Sequence, residues 1–189
     1  MEALEPMRGI ADTGFLVAFA HRNDEYHHWA TGIAERVTEP LLTCEAGLAE
    51  AAFHLRSATL VFDMLQEGLV TPAFNVNDHL PQLVALARRY ADRQPDLADL
   101  CLIRMSELHP RHSVITVDRE DFKVYSRNKR EVNPLICPPQ TPPPAYAISG
   151  AIRAILALGA ASASESLQWA LRRWSPRRGA RGSRPMSNG

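Results

Sequence analysis

Between Arg8 and Arg22 the chain has no Lys or Arg and a single acid, Asp12, set between apolar Ile10-Ala11 and the run Phe15-Leu16-Val17-Ala18-Phe19. Such a stretch reads as a short buried strand, an acidic turn and a buried helix. It constrains the fold, because a carboxylate held between two buried elements is unfavourable unless something positive meets it. No local cation is present. Either a metal ion or a group from a distant part of the chain must answer Asp12.

The length of 189 residues suits one domain of ordinary size with a real core, plus an extension. A formal net charge of zero hides a division. Residues 1–137 carry 14 Lys+Arg against 20 Asp+Glu, whereas residues 138–189 carry 7 Arg against the single Glu165. An acidic part therefore precedes a basic tail. Cys44, Cys101 and Cys137 are odd in number, widely spaced and form no C-x-x-C pair. They favour free thiols in a reducing compartment, with neither a disulfide framework nor a zinc site. The acidic start Met1-Glu2-Ala3-Leu4-Glu5 argues against a secretory signal. Ala151–Ala161 is too short to span a bilayer and contains Arg153. A cytoplasmic protein without a membrane partner is expected.

Local patterns predict the following order. A helix over Thr13–Arg22 follows the first strand, and Asn23-Asp24 caps a second helix, about Glu25–Val37, with Trp29, Ile33 and Val37 on its buried stripe. Leu41-Leu42-Thr43 is a short buried strand, and Thr43 is expected to cap a helix over Cys44–Ser57. Another helix, Ala58–Glu67, ends at Gly68. Leu69–Phe74 reads as a strand that Pro72 places at an edge or bulge. Asn77-Asp78 starts a helix to about Tyr90, with Leu80, Leu83, Val84 and Ala87 on one face. Asp96 through Leu108 is a helix, and Ser113–Val117 is a β-branched strand running into Asp118. Val124-Tyr125 and Leu135-Ile136 are short edge pieces. Strands alternating with helices predict an α/β fold with a mostly parallel sheet. Sites in open sheets of this kind form beyond the carboxyl ends of the strands, where Asp12 and Asp118 both fall.

Four carboxylates lie in apolar surroundings: Asp12, Glu50 within Leu48-Ala49-Glu50-Ala51-Ala52-Phe53, Asp99 in Leu97-Ala98-Asp99-Leu100, and Asp118. Gathered at one rim they would repel each other. Hard divalent cations remove that repulsion, so the set reads as a Mg2+ or Mn2+ site. Such a site suits phosphodiester hydrolysis, one ion activating water and a second about 3.5–4 Å away stabilising the leaving oxygen.

Four stretches now carry a resemblance: Asp12-Thr13-Gly14 with its apolar helix, Thr43-Cys44-Glu45-Ala46-Gly47-Leu48-Ala49-Glu50, Ala98-Asp99-Leu100, and Thr116-Val117-Asp118-Arg119-Glu120-Asp121-Phe122. In order, and in the gap from Asp12 to Glu50, residues 8–136 resemble the PIN-domain nucleases, and within them the VapC-like toxins of type II toxin–antitoxin pairs. That resemblance implies a metal-dependent endoribonuclease with a three-layer α/β/α fold, acting as a homodimer on RNA and held inactive by a cognate antitoxin. Carried over residue by residue, Asp12, Glu50, Asp99 and Asp118 are the catalytic, metal-holding quartet. Thr116 orients a carboxylate through its hydroxyl, and Asp121 is a supporting acid or an alternative fourth ligand.

Two positions have competitors. Glu45 and Glu50 are five residues apart, about 140° around a helix, so both cannot aim at one ion. Glu50 is preferred, because Ala46, Gly47 and Phe53 give it a partly buried face. Asp96 lies one turn before Asp99 and takes the helix-start role, leaving Asp99 as ligand. Arg22, Arg119 and Lys123 are either contacts for RNA phosphates or scattered solvated charges. His27-His28 point about 100° apart on a helix and cannot readily share an ion. Trp29, Phe15 and Phe19 are expected in the core. Cys44 has no His nearby in sequence to activate it.

The domain is expected to span residues 8–137, followed by the stiff linker 138–144, Pro-Pro-Gln-Thr-Pro-Pro-Pro. Residues 145–189 form an Ala/Arg-rich extension, helical in its first part and disordered after Trp174. Two rivals stand beside the nuclease. A phosphomonoesterase with Asp12 as covalent nucleophile needs a second Asp two residues on, where Gly14 stands. A catalytically silent PIN-fold module would bind RNA or protein without turnover.

Overall fold

The computed structural model describes residues 7–119, 122, 125–127, 131–132 and 134–139. The remainder, including Asp121, Lys123, Val124 and the whole 145–189 extension, lies outside the described residues. Five short strands form one parallel sheet: β1 (Gly9–Ala11), β2 (Leu41–Thr43), β3 (Val70–Pro72), β4 (Ser113–Ile115) and, skipping a small antiparallel pair, β7 (Leu135–Ile136). That pair is β5 (Ser126–Arg127) with β6 (Glu131–Val132). Six α-helices occur among the described residues: α1 (Thr13–Ala20), α2 (His27–Ala34), α3 (Glu45–Leu55), α4 (Ala58–Gln66), α5 (Leu80–Arg89) and α6 (Leu97–Leu108). No helix among them is long and apolar enough to cross a membrane.

The sheet order is β3-β2-β1-β4-β7. From β1 the chain builds outward through β2 and β3, then returns to place β4 on the other side of β1. The direction of winding reverses between β1 and β4, and the carboxyl ends of such a pair are where open sheets of this kind bind their ligands. The register is direct, with Gly9 opposite Ser113, Ile10 opposite Val114 and Ala11 opposite Ile115. One further bond, from Asp12 N–H to the Ile115 carbonyl at 3.0 Å, carries the ladder to the rim.

Neighbouring residues of a strand point to opposite faces, and the core follows. Ala11, Leu41 and Ile115 join Phe15, Leu16 and Phe19 of α1 and Leu60, Val61 and Met64 of α4 in one apolar cluster. Ile10 and Val114 join Leu83 and Leu86 of α5 and the apolar residues of α6 in another. Helix α1 is apolar nearly all round and is accordingly buried. Phe15 stacks near Phe19 and meets Trp29 edge-on at 6.0 Å, so the two phenylalanines are core residues as expected while Trp29 packs half-buried against them.

Several local expectations hold. Gly68 adopts φ 77°, and the Leu69 amide reaches back to the Met64 carbonyl, closing α4 as a left-handed cap requires. Pro72 ends an edge strand, where a missing N–H is harmless. Asp96, not Asp99, caps α6 by accepting the Asp99 amide at 2.8 Å.

Three expectations need correction. Cys44 rather than Thr43 caps α3, its Sγ accepting the Gly47 amide at 3.3 Å. Thr43 is drawn away because its hydroxyl donates to the Ala11 carbonyl of the adjacent strand. On α5, Leu83 and Leu86 are buried while Leu80 and Val84 are exposed, the helix being rolled so that Tyr90 also turns inward. Helix α2 is shorter than expected and starts at His27, whose ring Nδ1 lies 2.9 Å from the Ala18 carbonyl. Asp24 does not cap it: its carboxylate accepts the Tyr26 amide in a turn before the helix, and Tyr26 at the N-cap makes no side-chain capping bond.

Candidate functional site

Asp12 stands where β1 ends and α1 begins, at the reversal between β1 and β4. It is the N-cap of α1, and one carboxylate oxygen accepts the Thr13 amide at 2.7 Å. The other accepts the hydroxyl of Thr116, immediately past β4, at 2.7 Å. Thr116 is wholly buried and its oxygen also accepts the Asp118 amide at 3.0 Å, which ties the Asp118 backbone to the same point. Asp118 itself is exposed.

Glu50 reaches Asp12 through a neighbour. The Thr13 hydroxyl donates to Glu50 Oε2 at 2.8 Å, and Thr13 also lies 3.4 Å from the Gly47 carbonyl on the same helix. Glu50 is half-buried and has His54 one turn further along α3, 3.6 Å from its other oxygen. Glu45 is exposed in the first turn of α3. Phe53, expected to shelter Glu50, is 78% exposed and meets the His54 ring edge-on, while Thr13 of α1 touches the Glu50 carboxylate.

Asp99 occupies the first turn of α6, half-buried. Helix α6 packs on β1 and β4 and runs into β4 through the turn from His109 to His112, so its first turn lies toward the carboxyl ends of the parallel strands. All four acids therefore belong to segments at one end of the sheet. Asp12 and Glu50 are linked directly, and Asp118 through Thr116. Among the described residues, no three His, Cys, Asp or Glu side chains form a group close enough to hold an ion.

The electrostatics single out Asp12. Burial pushes its carboxyl up to about 6, against the lowering effect of the Thr116 hydroxyl and the Thr13 amide, and the charge of Glu50 pushes it further. No Lys, Arg or His among the described residues forms an ion pair with it. The opening of α1 contributes the positive end of a helix dipole there, and α3 opens beside it. An anion, or an anion with its cation, is favoured at that place.

Arg119 follows Asp118 directly and is half-buried, whereas Arg22 lies past the far end of α1, roughly 12 Å of helix from Asp12. Asp121 and Lys123 lie outside the described residues. Two residues escaped the sequence reading. Thr13 couples Asp12 to Glu50, and the available signal was a hydroxyl in a first helical turn whose capping was already done by Asp12. Tyr26 is the other, its phenol raised by burial and then by Glu25, Asp24 and Asp118. No protein-family model and no curated protein sequence matches this chain.

Proposed function

We propose that this rim is the metal-dependent active site of a PIN-like endoribonuclease, built on the three-layer α/β/α version of the fold, and that the protein is the VapC-like toxin of a toxin–antitoxin pair. The observation that carries the reading is Asp12: a carboxyl buried at the reversal of the sheet, pushed up to about 6, beside Glu50 and without an ion-pairing partner among the described residues. A hard cation is the species that such a donor set fits. The groups are carboxylate and hydroxyl oxygens, each bonded oxygen of Asp12 keeps a second lone pair, and positive charge would remove the penalty on ionising Asp12.

Asp12 and Glu50 would hold Mg2+ or Mn2+, with Asp99 and Asp118 completing the set. When bound, such an ion neutralises phosphate oxygens and makes water a competent nucleophile near neutral pH. The chain's own residues do the rest. Thr116 fixes Oδ2 of Asp12, so the carboxylate cannot rotate away. Thr13 holds Glu50 toward the same place, and the start of α1 favours a phosphate. Arg119 is the nearest described cation to Asp118 in sequence for a backbone contact to RNA. Above about pH 6 Asp12 is ionised and able to serve.

Purified protein incubated with structured RNAs in Mg2+ or Mn2+ should cleave internally, and chelation should stop it. Asp12→Asn and Asp99→Asn should abolish cleavage while the protein stays folded. A binding module is the second reading, favoured by the absence of a three-acid cluster among the described residues. RNA retention without cleavage under every metal condition would decide for it. The toxin assignment, with its cytoplasmic setting, homodimer and cognate antitoxin, is tested by the neighbouring reading frame. A short overlapping upstream gene for a DNA-binding protein is the expected companion.

A further inference from the structure

Strand β7 runs parallel to β4, with Leu135 opposite Val114 and Ile136 opposite Ile115. The Thr116 amide donates to the Ile136 carbonyl at 3.1 Å, and the hydroxyl of the same Thr116 holds Asp12. Beyond Ile136 the chain therefore leaves the sheet at the rim, two strand spacings, about 10 Å, from β1. Pro138 is buried at that point and Pro139 is exposed. Residues 140–189 come next and lie outside the described residues.

The two parts of the chain are opposite in charge. Residues 1–137 hold 14 Lys+Arg against 20 Asp+Glu, so the part that bears the rim repels a polyanion. Of the cations expected to meet RNA, Arg119 follows a rim acid, whereas Arg22 lies past the far end of α1. The missing positive charge is in the extension. Arg172, Arg173, Arg177, Arg178, Arg181 and Arg184 fall close together, with no acid after Glu165 and no Lys. Arg is the cation whose planar fork meets two phosphate oxygens at once. Trp169 and Trp174 flank the first Arg pair and supply flat faces on which bases stack.

We propose that residues 172–184 are an electrostatic arm that takes hold of the RNA phosphate backbone, without sequence preference, and keeps it against the rim; that RNA is the polyanion rests on the proposed function. Arg172 is 33 positions beyond Pro139. Even wound into one helix that length spans about 50 Å, more than the width of about 35 Å of a domain this size. An arm anchored at Ile136 thus reaches along an RNA lying on the rim. A nucleic-acid strand carries one charge about every 3.4 Å, whereas the acids of residues 1–137 are spread over a whole surface and make the sparser partner. A bilayer is the poorer fit as well. An interfacial anchor is a continuous amphipathic helix, and Pro176, Gly179, Gly182 and Pro185 interrupt the Arg run.

The test follows binding of a fluorescein-labelled single-stranded RNA by anisotropy, in chelator so that nothing is cleaved, over about 0.05–0.2 M NaCl. The full chain is compared with the full chain carrying Arg172→Gln, Arg173→Gln, Arg177→Gln, Arg178→Gln, Arg181→Gln and Arg184→Gln. Plotted against log salt, log Kd of the parent should rise more steeply than that of the variant by about 4, the counterion release of six contacts to a single strand. At about 0.1 M NaCl the variant should bind at least about 10-fold more weakly, with an unchanged melting temperature. Equal slopes and affinities overturn the proposal. So does tighter binding by the variant, which would mean that the arm lies on the rim's own acids. A variant that loses attachment to phosphatidylglycerol vesicles but keeps its affinity for the RNA overturns it too. Cleavage plays no part in this readout: an arm that binds RNA in a protein without turnover in Mg2+ sinks the nuclease reading and leaves this one standing.

Discussion

The hydroxyl of Thr116 donates to Oδ2 of Asp12 over 2.7 Å, joining residues 104 positions apart at the ends of two adjacent strands. The same oxygen accepts the Asp118 amide, so its single hydrogen is committed to Asp12. One buried hydroxyl thus sets the orientation of one acid and the path of the chain into another.

Thr116→Val keeps the shape and removes both bonds. Leaving a buried carboxylate oxygen of Asp12 without its hydroxyl donor is expected to destabilise the fold by about 1–3 kcal/mol in urea unfolding. The Thr116 bond lowers the Asp12 pKa, so its loss should raise that pKa further. The acidic limb of the pH–cleavage profile should then move to higher pH. Thr116→Ser should restore both measurements, and an unmoved profile would show that the hydroxyl does not govern Asp12.

Asp12→Asn should separate stability from activity. Burial pushes the folded carboxyl up to about 6 from the 3.8 ordinary for an aspartate, so between those values the folded state holds more protons than the unfolded one. Stability from this group is complete below the unfolded value and is lost as pH rises through about 6. The Asn variant escapes that loss and should be more stable than the parent at about pH 8 by up to about 3 kcal/mol, with little difference near pH 4. Equal stability of the two proteins at both pH values would show that Asp12 is not strained by ionisation. Cleavage should be absent in the variant throughout.

Glu50→Gln and Glu45→Gln distinguish two acids that sequence left in competition. Gln at position 50 still accepts the Thr13 hydroxyl but removes the charge that raises Asp12, whose pKa should fall. Cleavage should drop by about 100-fold, the scale of one electrostatic contact at a reacting phosphate. Glu45 is exposed, and its variant should match the parent. The reverse ranking would transfer the role to Glu45.

Metal addition should raise the melting temperature above pH 7 and do so much less at pH 5, where protons hold Asp12. A ligand at about 100 times its Kd stabilises by about 2.7 kcal/mol. Calorimetry with Mn2+ and with Mg2+ reads this directly. The shift should vanish in Asp12→Asn, and a shift of equal size in that variant would place the ion elsewhere.

Much of the fold was legible because its signals are local. Gly68 has to end α4, since a left-handed residue there closes the helix, and Pro72 has to lie at a sheet edge. That Asp96 starts α6 was legible from helix-start chemistry alone. Errors arose where one side chain had a choice of partners. Thr43 is as good a cap as Cys44 until the Ala11 carbonyl of the neighbouring strand is offered to it. Leu80 and Val84 share a helical stripe with Leu83, and only the roll of α5 against α6 decides which of them meets solvent.

By itself the sequence determined the order of strands and helices and the acid waiting at the end of β1, because hydrophobic period, caps and turns act over a few residues. Tertiary structure alone decided that Thr116 answers Asp12 and that Thr13 carries Glu50 to it. Those pairs depend on β4 returning to lie beside β1 and on α3 packing against α1. Strand order and helix docking are set by burying apolar area over the whole domain, and that free energy has no address in any short stretch of chain.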